Sequence, residues 1–145
     1  ILMSTKLQPD LPASQFSITS HGPGFLSING SRFSTSIIVT PDSPPQAWDC
    51  GHPNELGERH FAALRALQPE LILLGTGPVQ VMPNPRLMAS LMSRSPAGEP
   101  AIGIEVMDTA AACRTFNLLA AEGRRVLAAL IIQAPEEKSN DPDRP

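Results

Sequence analysis

The sequence contains no tyrosine, one tryptophan and only two cysteines in 145 residues. Without tyrosine, no catalytic scheme can draw its acid or base from a phenol. Cys50 and Cys113 allow at most one bridge, which excludes a disulfide-stapled scaffold. A structural zinc site wants four ligands, and Cys50 with His52 supplies a single C-x-H pair with no second pair nearby. No apolar run approaches the roughly 20 residues that cross a bilayer, so membrane insertion is not expected. Positive charge is scarce too: 11 Lys and Arg against 14 Asp and Glu leave a net −3, with no basic face for nucleic acid. The first ten residues lack the basic and apolar regions of a secretory signal. Two free thiols and a cytoplasmic location are therefore expected.

What is present begins with proline, 16 of them, clustered at Pro9 to Pro12, Pro41 to Pro53, Pro78 to Pro100 and the tail. They mark loops and ends. A hydrophobic fraction of 41% in a chain of this length suits one domain with a core that needs no staples. Residues 1–14 are polar and proline-bearing, and PEEKSNDPDRP after Ala134 has charge and no apolar anchor. The expectation is a disordered N-terminus at 1–14, a single α/β domain at 15–133 and a disordered tail at 134–145. There is no internal repeat.

Phe16 and Ile18, then Phe25, Leu26 and Ile28, flank the turn sequence HGPG and predict a hairpin. Asn29-Gly30 is a second tight-turn signal, and Ser31 to Thr40 carries the β-branched residues of a strand. The N-terminal part is thus read as a small antiparallel meander. Pro41 to Pro53 is read as a loop holding Trp48, either a lid on the core edge or a partner anchor. Asn54 is expected to cap a helix to Leu67, with Leu56, His60, Ala63, Leu64 and Leu67 on one face; a histidine there reads as a packed, hydrogen-bonded residue.

Leu71 to Leu74 is an apolar run between Glu70 and Gly75, the pattern of a buried central strand. Asn84-Pro85 opens another helix, with Leu87, Met88, Leu91 and Met92 as two i,i+4 pairs. Ala101 to Val106 is strand-like and runs into Asp108, which reads as an N-cap. Thr109 to Glu122 holds no Pro and no Gly. Gly123 stands where a C-terminal glycine cap belongs, and Val126 to Ile132 is a last apolar strand. Helical crossovers between strands favour a parallel core. The fold class expected is three-layer α/β: a mixed central sheet with helices packed on it and the antiparallel meander attached as an edge or a separate small sheet.

Two strand ends carry the candidate site. Leu74 leads into Gly75-Thr76-Gly77 and Val106 into Met107-Asp108-Thr109. Ligands of open α/β sheets bind beyond the carboxyl ends of strands, and a helix N-terminus offers unpaired N–H groups to an anion. Against this, Asp108 would occupy those donors and repel a second negative charge, and Gly75-Thr76-Gly77 falls far short of a phosphate-binding loop or a dinucleotide fingerprint. Arg114 and Asn117 neighbour each other on the last helix between Ala110 and Ala121. In a structural role, Arg114 would tie down the Gly75–Gly77 carbonyls or Glu105 and Asn117 would cap a strand edge; in a functional one, the pair would recognise a carboxylate or a partner's backbone. Cys113, mid-helix among alanines, reads as a small hydrophobe. No G-x-S-x-G elbow and no cofactor motif is present.

The stretch EVMDTAAACRTFNLLAAEGRRV at Glu105 to Val126, with LILLGTG at Leu71 to Gly77, resembles a small α/β domain family. That family includes the mitochondrial complex I assembly factor 3, an adipogenesis-associated animal member and many bacterial and archaeal proteins. The similarity covers roughly Phe16 to Ile132. It implies three layers around a mixed sheet, and much less about activity, since no enzymatic reaction is established for that family. Two functions follow. The first is a non-catalytic interaction module, an assembly or maturation factor for a respiratory or other membrane complex, with a protein partner and no cofactor or metal. The alternative is a binder of a small anion or carboxylate, or an enzyme, using Gly75, Thr76, Gly77, Asp108, Thr109, Arg114 and Asn117. A filled strand-end junction favours the first, and an open pocket with convergent polar groups the second. Neither fixes the oligomeric state.

Overall fold

The computed structural model describes residues 15–134. The N-terminal stretch 1–14 lies outside the described residues, as does the expected tail apart from Ala134. Eight strands and three α-helices follow in order: β1 (Ile18–Gly22), β2 (Phe25–Ile28), β3 (Ser31–Phe33), β4 (Ile37–Thr40), β5 (Ser43–Ala47), α1 (Glu58–Ala66), β6 (Leu71–Gly75), α2 (Pro85–Met92), β7 (Gly103–Met107), α3 (Thr109–Ala121) and β8 (Val126–Leu130).

Strands β1, β2 and β3 form a separate antiparallel sheet. Asn29 (φ 49°) and Gly30 (φ 86°) turn β2 into β3, the positive angles that a two-residue type I′ hairpin demands. The second sheet has the order β5-β4-β8-β6-β7. Its centre is parallel, with β6 between β7 and β8, while β4 joins β8 antiparallel and carries β5 at the edge. Ser31 to Thr40 is thus two strands in two sheets, not one. The chain breaks at Ser34-Thr35-Ser36, where the buried Ser36 accepts the Ile132 N–H through its hydroxyl and the Trp48 N–H through its carbonyl.

The five-stranded sheet is buried on both faces. On one, Val39, Leu73, Val126, Ala128 and Leu130 pack under Phe116, Ala112 and Cys113 of α3 and under Leu26 and Ile28 of the small sheet. On the other, Ile38, Ile72, Leu74, Leu127, Ala129 and Ile131 pack under Phe61 and Leu64 of α1 and Leu91 of α2. This explains the unbroken apolar runs of β6 and β8, since strands covered on both sides lose alternation. Three layers around a mixed sheet, with the small β meander, is the fold expected.

Local chemistry corrects several boundaries. The proline-rich stretch contains strand β5, with Pro44 and Pro45 inside it. Proline donates no ladder bond and is tolerated only at such an edge. Asn54 does not cap α1; Pro53–Glu55 is a separate 3-10 turn, and the N-cap of α1 is Gly57, whose N–H donates to Nδ1 of His60 at 3.0 Å. His60 is buried, edge-on to the buried Trp48 ring at 5.9 Å. Ala63 and Leu67 point to solvent instead of the core, because the later start places His60, Phe61 and Leu64 inward. Met92 is exposed as well, leaving Leu91 as the buried residue of α2.

Arg65, which in sequence is one more cation on an amphipathic helix, spans two elements. Its guanidinium donates to the Ser90, Leu91, Ser93 and Pro100 carbonyls, so a cation from α1 satisfies the orphan carbonyls at the C-terminus of α2.

Candidate functional site

The carboxyl ends of β6 and β7 converge on the N-terminus of α3, bringing Gly75, Thr76, Gly77, Asp108 and Thr109 together. Asp108 is the N-cap, its carboxylate accepting the Ala111 N–H at 2.8 Å. Thr109 staples three segments. Its hydroxyl donates to the Ile131 carbonyl at 2.7 Å and accepts the Gly77 N–H at 2.8 Å, and its own N–H donates to the Gly77 carbonyl at 2.9 Å. Thr76 is fully buried; its hydroxyl donates to the Val79 carbonyl at 2.7 Å and accepts the Val81 N–H at 3.0 Å, folding the following loop around itself. The Ile131 N–H closes the ring on the Gly75 carbonyl at 2.9 Å.

Two glycines permit this closeness. A Cβ on Gly75 would stand 3.0 Å from Leu130 Cδ2 and from Thr109 Cα and Oγ1, inside contact distance with backbone. Gly77 has φ 99°, the left-handed region that favours glycine. The glycines therefore serve close packing of β6 against α3, and the hydroxyls answer each other's backbone. Beside the junction lies a groove of ≈ 600 Å³, between the β1–β2 hairpin, the start of α3 and Ile131 to Ala134. Asp108 and His21 are the titratable groups among its lining residues.

Arg114 and Asn117 stand apart from the strand ends. A helix rises about 1.5 Å per residue, so they sit roughly 9 and 13 Å along the axis from Asp108. Asn117 clamps β1: its carbonyl oxygen accepts the Ile18 N–H at 2.9 Å and its amide donates to the Ile18 carbonyl at 2.7 Å. Arg114 is exposed and makes no hydrogen bond or ion pair among the described residues. The tether from Arg114 to the Gly75–Gly77 carbonyls or to Glu105 is not formed, because α3 turns its Cys113 and Phe116 inward and Arg114 outward.

The two thiols are unpaired and lie on opposite faces of the sheet. Burial pushes Cys113 up to about 12 and Cys50 up to about 11, so both are protonated at neutral pH. Although the proline-rich stretch around Cys50 reads as a loop, which would leave its thiol accessible, Cys50 is only 1% exposed, packed in the Trp48 layer. No group of three His, Cys, Asp or Glu able to hold a metal occurs among the described residues, and no described helix is long and apolar enough to cross a membrane.

A mixed sheet with two helices on one face, a helix and a small antiparallel sheet on the other, and a strand-end junction closed by threonine hydroxyls define a small three-layer α/β domain. The chain belongs to the protein family of unknown function DUF498/DUF598, whose family model matches residues 18–131. It is 32% identical over 127 residues to the bovine NADH dehydrogenase (ubiquinone) 1 alpha subcomplex assembly factor 3, covering 86% of this chain and 65% of that protein. The chain thus spans slightly less than two thirds of that relative. Among solved structures, a Bordetella parapertussis protein superimposes with TM-score 0.75 at 33% identity, covering 84% of this chain and 99% of that one. A Mth938-like domain from Bordetella pertussis gives 0.69 at 29% identity, covering 90% and 94%.

Proposed function

We propose that this chain is a non-catalytic protein-binding module that acts as an assembly or maturation factor for a respiratory or other membrane complex. The observation that carries this reading is the filled strand-end junction. The Thr76 and Thr109 hydroxyls and the Asp108 carboxylate are engaged with backbone within the fold, which leaves few convergent polar groups to orient a substrate. The name of the bovine relative, an assembly factor, supports the same reading. The alternative of a small anionic ligand is less favoured. The adjoining groove has the Asp108 carboxylate in its wall and not the Arg114 guanidinium, so an anion there would meet like charge. Two buried free thiols suit a reducing compartment, and the cytoplasm is the location this reading assigns. Affinity capture of the full chain from native lysate, with simultaneous mass analysis of proteins and small molecules, tests it. Co-purification of subunits of a membrane complex is expected. A small molecule recovered in equal amount to the chain, without protein partners, would overturn it.

A further inference from the structure

The two edges of the five-stranded sheet are finished differently. At β5 the edge carries Pro44 and Pro45, which blunt it against further pairing. β7 carries no proline. The Met107 carbonyl accepts the Thr76 N–H, so by the alternation of a strand Gly103, Glu105 and Met107 turn their backbone groups towards β6, and Ile104 and Val106 turn theirs outward. The outward edge is capped at its two ends. The Ile102 N–H donates to the Leu91 carbonyl at 2.8 Å, and the Gln80 side-chain amide donates to the Val106 carbonyl at 2.8 Å. Between them, the N–H and carbonyl of Ile104 and the N–H of Val106 meet no partner among the described residues. Gln80 belongs to a loop that exposes three apolar side chains, Val79 at 62%, Val81 at 39% and Met82 at 59%. An open edge beside clustered apolar side chains is the anatomy of a strand-addition site.

Charge selects the occupant. Two copies of β7 pairing antiparallel through Ile104 and Val106 would be centred on Glu105. That register sets two exposed Glu105 side chains directly opposite, with Cα atoms about 4.5 Å apart, and like charges so placed are destabilising. Resting on the reading of this chain as a protein-binding module, we infer that the β7 edge receives an extended segment of a different protein. The segment carries Lys or Arg opposite Glu105 and apolar residues where it passes Val79 to Met82.

The test uses the full chain as bait for a phage-displayed library of random dodecapeptides, followed by hydrogen exchange with an enriched peptide. Enriched peptides should place Lys or Arg within alternating apolar residues, and the Ile104 and Val106 amides should become protected on binding. Val106→Pro removes one outward donor without breaking the ladder to β6 and should weaken binding about tenfold or more. Because that variant could disturb the fold, Glu105→Lys is the second arm: Glu105 is exposed, and the swap should turn the enriched centre from basic to acidic. Peptides that bind equally to both variants and protect amides elsewhere would overturn the edge assignment while leaving the protein-binding reading intact. Enrichment of nothing, or a dimer of the parent chain lost in Val106→Pro, would overturn the assignment of a foreign basic segment. Failure of the lysate capture to yield any protein would count against the module reading itself.

Discussion

Replacing Thr109 with valine exchanges a hydroxyl for a methyl of nearly the same shape and removes two bonds from the junction, to the Ile131 carbonyl and from the Gly77 N–H. Each such bond contributes about 0.5–1.5 kcal/mol net, and a buried group left without a partner costs about 1–3 kcal/mol. Gly77 is buried, but Gly77, Thr109 and Ile131 also border the groove, so water can reach part of what is exposed. The expected loss is therefore about 2 kcal/mol. At roughly 3–4 °C per kcal/mol for a domain near this length, that is about 6–8 °C in Tm. Urea denaturation followed by far-UV circular dichroism measures it, with an unchanged m-value showing that the compactness of the two states is the same. Thr109→Ser keeps the hydroxyl and should lose less than about 1 kcal/mol. Arg114→Met, at an exposed residue without a partner among the described residues, should stay within about 0.5 kcal/mol of the parent. A Thr109→Val midpoint indistinguishable from the parent would refute the reasoning. The hydroxyl would then not hold the junction closed, and a ligand-binding role for it would regain force.

Asp108→Ala should cost about 1 kcal/mol through loss of the bond to the Ala111 N–H; an unchanged denaturation midpoint would mean that the cap stabilises nothing. Arg65→Met should cost about 1 kcal/mol, since most of the carbonyls it joins can turn to water instead, and should speed proteolytic cleavage between Ser93 and Pro100; identical cleavage rates would contradict the tie. Cys50 and Cys113 should both resist a thiol reagent until the chain unfolds, and rapid labelling of either would contradict its burial. The same burial makes stability depend on alkaline pH. Each folded thiol titrates above its ordinary value of 9.0, at about 11 and about 12, so the unfolded chain gives up these protons first. The contribution is intact below pH 9 and is lost as pH rises through 11 and 12, and Cys113→Ala should make the fall in midpoint less steep.

The residues that specified local structure were legible without a fold. Asp108 before a run free of Pro and Gly, Gly123 after it, Asn84-Pro85 and Asn29-Gly30 each act within a few positions of chain, and each appears where its chemistry requires. At Gly123 the N–H bonds of Gly123 and Arg124 to the Ala120 and Leu119 carbonyls complete the cap. The apolar runs of β6 and β8 likewise announced strands covered on both faces, and the helical crossovers announced their parallel pairing. Partners distant in the chain were not legible. Asn117 and Ile18 are 99 positions apart, and Thr109 and Ile131 are 22 apart; nothing in composition or spacing says which carbonyl a given hydroxyl or amide will meet. Nor could sequence show that Arg114 faces water while Arg65 reaches another helix, since both are long cations on amphipathic helices and their neighbours are set by packing. Strand β5 was hidden for the opposite reason: proline argues against a strand until the sheet reveals that the strand is an edge. The open edge at β7 is a tertiary fact of the same kind, because whether a strand has one neighbour or two depends on where the rest of the chain goes.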